Sequence, residues 1–420
     1  NGYLSFFNAH KNRETMIYVG ANDGMLHAFK VGDGREIFSI VPKNLLGELK
    51  NLKSMHDIYV DSSPKAGDVY FPGQSKWKTI IVTGERAGGP YYFAVDVTEP
   101  LNSEYPKILW EWTDPNMGEA WAKPEIGKVK VGGDTKFVAF ITGGYSASNN
   151  KSNCFYVVDI ETGKTLKEWY NLGSSSNKIP SGATSFESGA DGYTTSVYFG
   201  DTDGNIWRAD LKNADKANWT CTVFFTPEAA KRKPIYYPPA VVRNDLNKVL
   251  VLFGSGDEMN LKNPGSFYIW EIEETETGSQ LNWFKELTDE KVLGQPVVAN
   301  HVVYFTTWKY TGGTENCGAG QGNLYGLALS SSAGVGGAAA LVLLDSTKTP
   351  MTAKQSITLG PGVPTKPVVT NGVIYISSSV NSRGYYEYPG SGDSASGMGP
   401  GGIKFPGWPT SRVRSWREVF

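Results

Sequence analysis

Long apolar runs are missing from this sequence: no stretch reaches the 18 or more residues that a membrane-crossing helix needs, so no membrane span is expected. Cysteine is scarce, with only Cys154, Cys221 and Cys317. An odd count allows at most one disulfide, and the spacing fits neither a zinc site nor a Cys-x-x-Cys redox pair. Histidine is almost as scarce. His10, His27, His56 and His301 show no His-x-x-x-His or Glu-x-x-His spacing, which argues against a zinc enzyme. No Gly-x-Ser-x-Gly elbow, phosphate loop or Arg-Gly-Asp tripeptide occurs. An excess of either charge is also lacking. The 40 basic and 42 acidic residues leave a net charge of −2, and nothing in that balance draws the chain to nucleic acid or an anionic membrane.

Glycine and aromatic residues are abundant. The 49 glycines and 23 prolines cut the 420 residues into short elements, while 13% aromatic content supplies a large core. Tyr18-Val19-Gly20-Ala21-Asn22-Asp23-Gly24-Met25-Leu26-His27-Ala28-Phe29 reads as strand, turn and strand. An Asp-Gly turn between β-formers is a strong hairpin signal, of the kind that type I′ turns give. Ser196-Val197-Tyr198-Phe199-Gly200-Asp201-Thr202-Asp203-Gly204-Asn205-Ile206-Trp207 repeats the design. Related units centre on residues 16–38, 79–111, 137–163, 197–210, 249–270 and 302–327, and a seventh starts at 373. Hairpins that recur in this way bury their apolar faces against neighbours of their own kind. The fold expected is an all-β propeller, with seven modified blades preferred and six or eight as alternatives, with quinoprotein-like repeats and loop insertions on one rim. It is expected to form a single domain over 1–420. Leucines 45, 46, 49 and 52 predict one amphipathic helix over 42–56. The Gly, Ser and Pro density of 388–407 predicts a loop or linker within the domain. A chain that starts at Asn1 is expected to be a trimmed fragment whose N-terminal portion is absent.

Gly20-Ala21-Asn22-Asp23-Gly24-Met25-Leu26-His27-Ala28-Phe29 resembles the opening blade of the PilC/PilY family of type IV pilus tip-associated adhesins. The likeness continues through Val60-Asp61-Ser62-Ser63-Pro64, Trp77-Lys78-Thr79-Ile80-Ile81-Val82 and Phe93-Ala94-Val95-Asp96-Val97-Thr98-Glu99-Pro100. It returns at Val197 to Asp201, at Gly204-Asn205-Ile206-Trp207-Arg208 and at Ser415-Trp416-Arg417-Glu418. The resemblance implies the C-terminal part of a larger exported protein, a non-enzymatic factor at the pilus tip, cell surface or outer membrane of a bacterium. Such a factor supports pilus assembly, counteracts retraction (hence twitching motility) and mediates attachment. The partners implied are minor pilins, a host or abiotic surface, and the protein's own N-terminal domain. Export makes disulfide pairing among Cys154, Cys221 and Cys317 one expectation, of open connectivity, with buried free thiols as the alternative; the chain positions of Cys154 and Cys221 suggest neighbours in adjacent blades.

The resemblance also implies a calcium loop just before the Val-Tyr-x-Gly-Asp strand. The matching segment places Glu187 at the first ligand position, Asp191 at the third, Gly192 at the turn and the Tyr193 carbonyl beyond it. Gly189 stands where a second side-chain ligand is needed, and Thr195 replaces the closing carboxylate. Calcium takes six to eight oxygens, so the segment reads as an ordinary loop ahead of a calcium site, with binding weak or lost. Asp201-Thr202-Asp203-Gly204-Asn205 also alternates acids and amides, but lies in the repeated hairpin and reads as turn chemistry. The alternative reading is a pyrroloquinoline-quinone-dependent dehydrogenase, since Phe155 to Gly163 has that repeat style. Trp110 and Trp207 are expected to pack rather than to carry a cofactor. His27 is expected to be a hydrogen-bonded structural residue.

Overall fold

The computed structural model describes residues 2–53, 57–148, 150–312, 320–330, 343–345, 352–370, 373–379 and 402–404. It divides into two compact units, Asn1–Val223 and Phe224–Phe420. In the first unit, each repeat folds as an antiparallel sheet. Met16–Gly20, Leu26–Lys30 and Glu36–Ile40 form the first sheet, which has three strands. Lys65–Phe71, Lys76–Gly84, Tyr92–Asp96 and Lys107–Trp112 form the second. The third is Glu125–Val131, Asp134–Thr142, Phe155–Asp159 and Thr165–Trp169. Thr184–Phe186, Ser196–Gly200, Ile206–Asp210 and, where the unit ends, Thr220–Phe225 form the fourth.

The apolar runs in these strands follow from burial on both faces, since successive side chains point to opposite sides of a sheet. Ile80, Val82, Tyr92 and Ala94 face a core shared with the third sheet, where they meet Ala139, Ile141, Tyr156 and Val158. Ile81, Phe93 and Val95 point the other way, to Leu26 and Ile40 of the first sheet. The third sheet's Phe140, Phe155 and Val157 meet Val197 and Phe199 of the fourth. Neighbouring sheets therefore pack face to face in chain order, and each fully buried Phe or Ile contributes on the order of 1.5–3 kcal/mol.

A second rule repeats at the strand ends. Asp96, Asp159 and Asp210 each close a strand with Oδ1 accepting the amide of the residue two further on, at 3.0, 2.8 and 3.0 Å. The other oxygen pairs with Lys78, Lys136 or Arg208, in each case at 3.0 Å. Asp96 and Asp159 are buried.

In the second unit, Ala240–Arg243, Val249–Gly254, Ser266–Thr275 and Gly278–Thr288 form one sheet. In the next, Glu290–Val292 and Val297–Ala299 both pair with Val302–Tyr310, followed by Gly320–Ala328 and Ser356–Pro361. Leu250, Leu252 and Ile269 pack on Val303 and Phe305 between these two sheets. Leu343–Asp345 and Thr352–Lys354 make a hairpin, and Val368–Thr370, Val373–Tyr375 and Gly402–Lys404 a last sheet. Each of the seven repeat units thus falls in its own sheet. Residues 402–404 of the Gly-rich segment are strand, and 388–401 and 405–407 lie outside the described residues.

Three local expectations change. Residues 42–53 form two 3-10 turns, Lys43–Leu45 and Leu49–Lys53, rather than one α-helix. Their bonds run i to i+3, as in Glu48 N to Leu45 O at 2.9 Å, and Gly47 between them gives an α-helix no support. The repeated hairpins are not type I′, because positive φ falls on the glycine alone, at +90° for Gly24 and +84° for Gly204. Cys154 and Cys221 are free thiols. Cys154 packs between the second and third sheets and Cys221 against the core between the third and fourth, so the sheet separates them. Cys317 lies outside the described residues.

Candidate functional site

Within the first unit, an open cavity of about 1360 Å³ runs over the second and third sheets to the loop that precedes Ser196. The short helix Tyr3–His10, which buries none of its residues, forms one wall. It is held from outside by aromatic and polar contacts. The Tyr3 ring lies tilted at 54° against Trp77, 4.7 Å between ring centres, and Phe137 meets Trp77 edge-on at 5.4 Å. The Tyr3 hydroxyl donates to Asp68 at 3.1 Å, and His10 Nε2 lies 2.8 Å from Glu99.

The opposite wall is the segment 187–195. Gly192 sits at φ +72°, the left-handed turn that the sequence pattern requires of it. Glu187 is exposed and makes no hydrogen bond or ion pair among the described residues. Asp191 Oδ1 accepts the Tyr193 amide at 3.3 Å. Thr195 is spent locally: its hydroxyl donates to the Phe186 carbonyl at 3.2 Å and accepts from the Ser188 amide at 3.0 Å. The Tyr193 side chain, rather than its carbonyl, does the anchoring, through a 2.6 Å hydrogen bond with Thr135.

Two residues that the linear pattern does not reveal complete this wall. Lys128 Nζ donates to the Asp191 carbonyl at 2.8 Å, and Lys130 Nζ lies 3.8 Å from Asp191 Oδ2. Both ammonium groups lie over the Tyr193 ring, at 4.3 and 4.5 Å from its centre. A Lys-x-Lys pair on a strand puts both side chains on one face, which is the only signal the sequence offers. Calcium does not fit the segment as placed. Position 189 has no side chain, the Asp191 carbonyl is occupied by an ammonium, and the Thr195 hydroxyl is committed. Among the described residues, no three His, Cys, Asp or Glu side chains converge as a metal site.

The second acidic loop is a structural hub. Asp201 is fully buried and accepts from Asn205 N at 2.7 Å, Asn205 Nδ2 and Asn177 Nδ2 at 2.9 Å, and Trp207 Nε1 at 2.7 Å. Burial raises its pKa against the lowering effect of these donors. Trp110 is likewise committed, donating to the Ile160 carbonyl at 2.9 Å. His27 bridges Glu36 at 2.8 Å and Asp23 at 3.0 Å.

One further titratable group was not apparent from the sequence. Glu85 is fully buried; its Oε1 accepts from Asn44 Nδ2 at 2.7 Å and its Oε2 has no hydrogen-bond partner among the described residues. Burial pushes this carboxyl up to about 7, with the Asn44 bond working in the opposite direction.

Comparison with known proteins places these features in a family. A family model described as the PilY1 beta-propeller domain matches residues 1–309. The chain is 36% identical over 221 residues to the type IV pilus biogenesis factor PilY1 of Pseudomonas aeruginosa, covering 50% of this chain and 18% of that protein. It is 32% identical over 240 residues to a PilY1 homolog of Xylella fastidiosa, covering 52% of this chain and 16% of that protein. The chain therefore spans less than a fifth of the length of these relatives. The crystal structure of the Pseudomonas aeruginosa PilY1 C-terminal domain shares its fold at a TM-score of 0.68 and 22% identity, over 90% of this chain and 94% of that one. With face-to-face sheets in chain order and a family model covering most of its length, this chain belongs to the PilY1 β-propeller domain family.

Proposed function

We propose that this chain is the propeller of an exported type IV pilus biogenesis factor, acting as a binding module and not as an enzyme. The observation that carries the reading is the family match over residues 1–309. In this reading the protein resides at the pilus tip or cell surface. There it docks to minor pilins, supports assembly, opposes retraction and contributes to attachment. The site chemistry agrees with a binding role. Trp110 and Trp207, the candidate platforms for a quinone cofactor, are buried and hydrogen-bonded within the sheets. The large aromatic and lysine-lined cavity is the natural contact surface, since concave sites with a few fixed polar groups are where partners bind.

The test is deletion of the propeller from the full-length protein in its own cell. Loss of surface pili, restored when the retraction motor is also removed, is the expected result. Pili and attachment that persist unchanged after the deletion would refute the reading.

A further inference from the structure

The segment 187–195 carries the carboxylates of Glu187 and Asp191 and the Asp191 carbonyl about one tight turn, and negative oxygens held close together repel one another unless a positive charge stands among them. That charge is already present, and it is covalently part of the chain. We propose that Lys128 and Lys130 hold this loop in place of a divalent cation, so that the loop and the cavity wall it forms are independent of calcium.

Four observations carry the inference. Lys128 Nζ donates to the Asp191 carbonyl at 2.8 Å, at the turn itself, and a Cβ on Gly192 would meet that nitrogen at 3.0 Å. Lys130 Nζ stands 3.8 Å from the Asp191 carboxylate. The Tyr193 ring lies beneath both ammonium groups, and its hydroxyl is fixed by Thr135 at 2.6 Å. The loop backbone is fastened to the same strand by Thr194 N donating to the Lys128 carbonyl at 2.7 Å. Together the two lysines bring two unit charges, the charge of one calcium ion, to the loop. A calcium ion entering there would be repelled by both of them. Unlike an ion, they are not removed by dilution or by a chelator.

The experiment is calcium titration by calorimetry, joined to amide hydrogen exchange across 187–195, on the wild-type chain and on the Lys128→Met, Lys128→Arg and Asp191→Ala variants. In the wild type, no saturable heat that depends on Asp191 is expected, and exchange at the Tyr193 and Thr195 amides should be the same in calcium and in chelator. Lys128→Met should speed those exchanges by about tenfold or more, since a charged hydrogen bond is lost, with no rescue by calcium. Lys128→Arg should restore protection. Saturable calcium binding abolished by Asp191→Ala would overturn the proposal. So would wild-type protection that rises with calcium, a comparison that depends on no variant folding. Loop exchange unchanged by Lys128→Met would also refute it.

Discussion

Glu85 is a fully buried carboxylic acid with one oxygen lacking a hydrogen-bond partner among the described residues. Its carboxyl is closed in by the Asn44 turn on one side and by Gly89 on the other, where even a Cβ would come within 2.2 Å of Oε2. An ionised Oε2 without a donor is costly there, so the folded state favours the protonated form. The unfolded carboxyl titrates near its ordinary 4.5 and the folded one at about 7. Between these values the native state keeps a proton that the unfolded chain has released, so stability falls as pH rises through that window. At pH 8 the cost is on the order of 3 kcal/mol. His27 acts in the same direction. Burial lowers its pKa, but the hydrogen bonds to Glu36 and Asp23 prevail and raise it. Its contribution is complete below its ordinary value and is lost as pH rises through the higher folded one. Urea unfolding at pH 5 and pH 8 should therefore show a stability decline that Glu85→Gln largely removes. A decline of the same size in that variant would mean that Glu85 is already ionised in the fold.

At the scale of elements, the repeated hairpin shows what a sequence can and cannot reveal. Its existence was legible because glycine at a fixed place between two apolar runs has a conformational reason. Gly24 and Gly204 occupy left-handed backbone, with matching bonds from Gly24 N to Ala21 O and from Gly204 N to Asp201 O. Gly204→Ala should accordingly cost on the order of 1–2 kcal/mol, read as a lower urea midpoint with an unchanged slope. Gly133→Ala, at a glycine with open space around it and no left-handed φ, is the control expected to be close to neutral. The exact turn type was not legible, because Asn and Asp allow positive φ without requiring it. Nor was the helix Tyr3–His10, which has no buried face to leave an apolar period and is held by Trp77, Asp68 and Glu99 from far along the chain. The Glu187 to Thr195 pattern was visible as a loop. Its partner Lys128 was not, because it stands 63 residues from Asp191 and no linear motif spans that distance.

At the largest scale, the sheets were legible because strands buried on both faces must be apolar throughout, and their chain-order packing within each unit follows from the repeats. The thiols report on the same packing. Burial pushes the Cys154 thiol up to about 12 and raises that of Cys221 as well. In a Cys317→Ser background, fully buried Cys154 should not react with a disulfide reagent until the chain unfolds, and partly buried Cys221 should react more slowly than a free thiol, so release of the Cys154 thiol should track loss of tryptophan fluorescence. Fast labelling of Cys154 in the native state would show that its sheet opens locally. The strand-end clamps carry a different consequence. Asp96 and Asp159 keep only 1% and 4% of their side-chain surface in contact with solvent, so their pairs with Lys78 and Lys136 lie largely beyond the reach of dissolved ions. A protein fastened in this way carries its own ionic medium inside its blades, and the contribution of these pairs should be much the same in dilute fresh water as in brine.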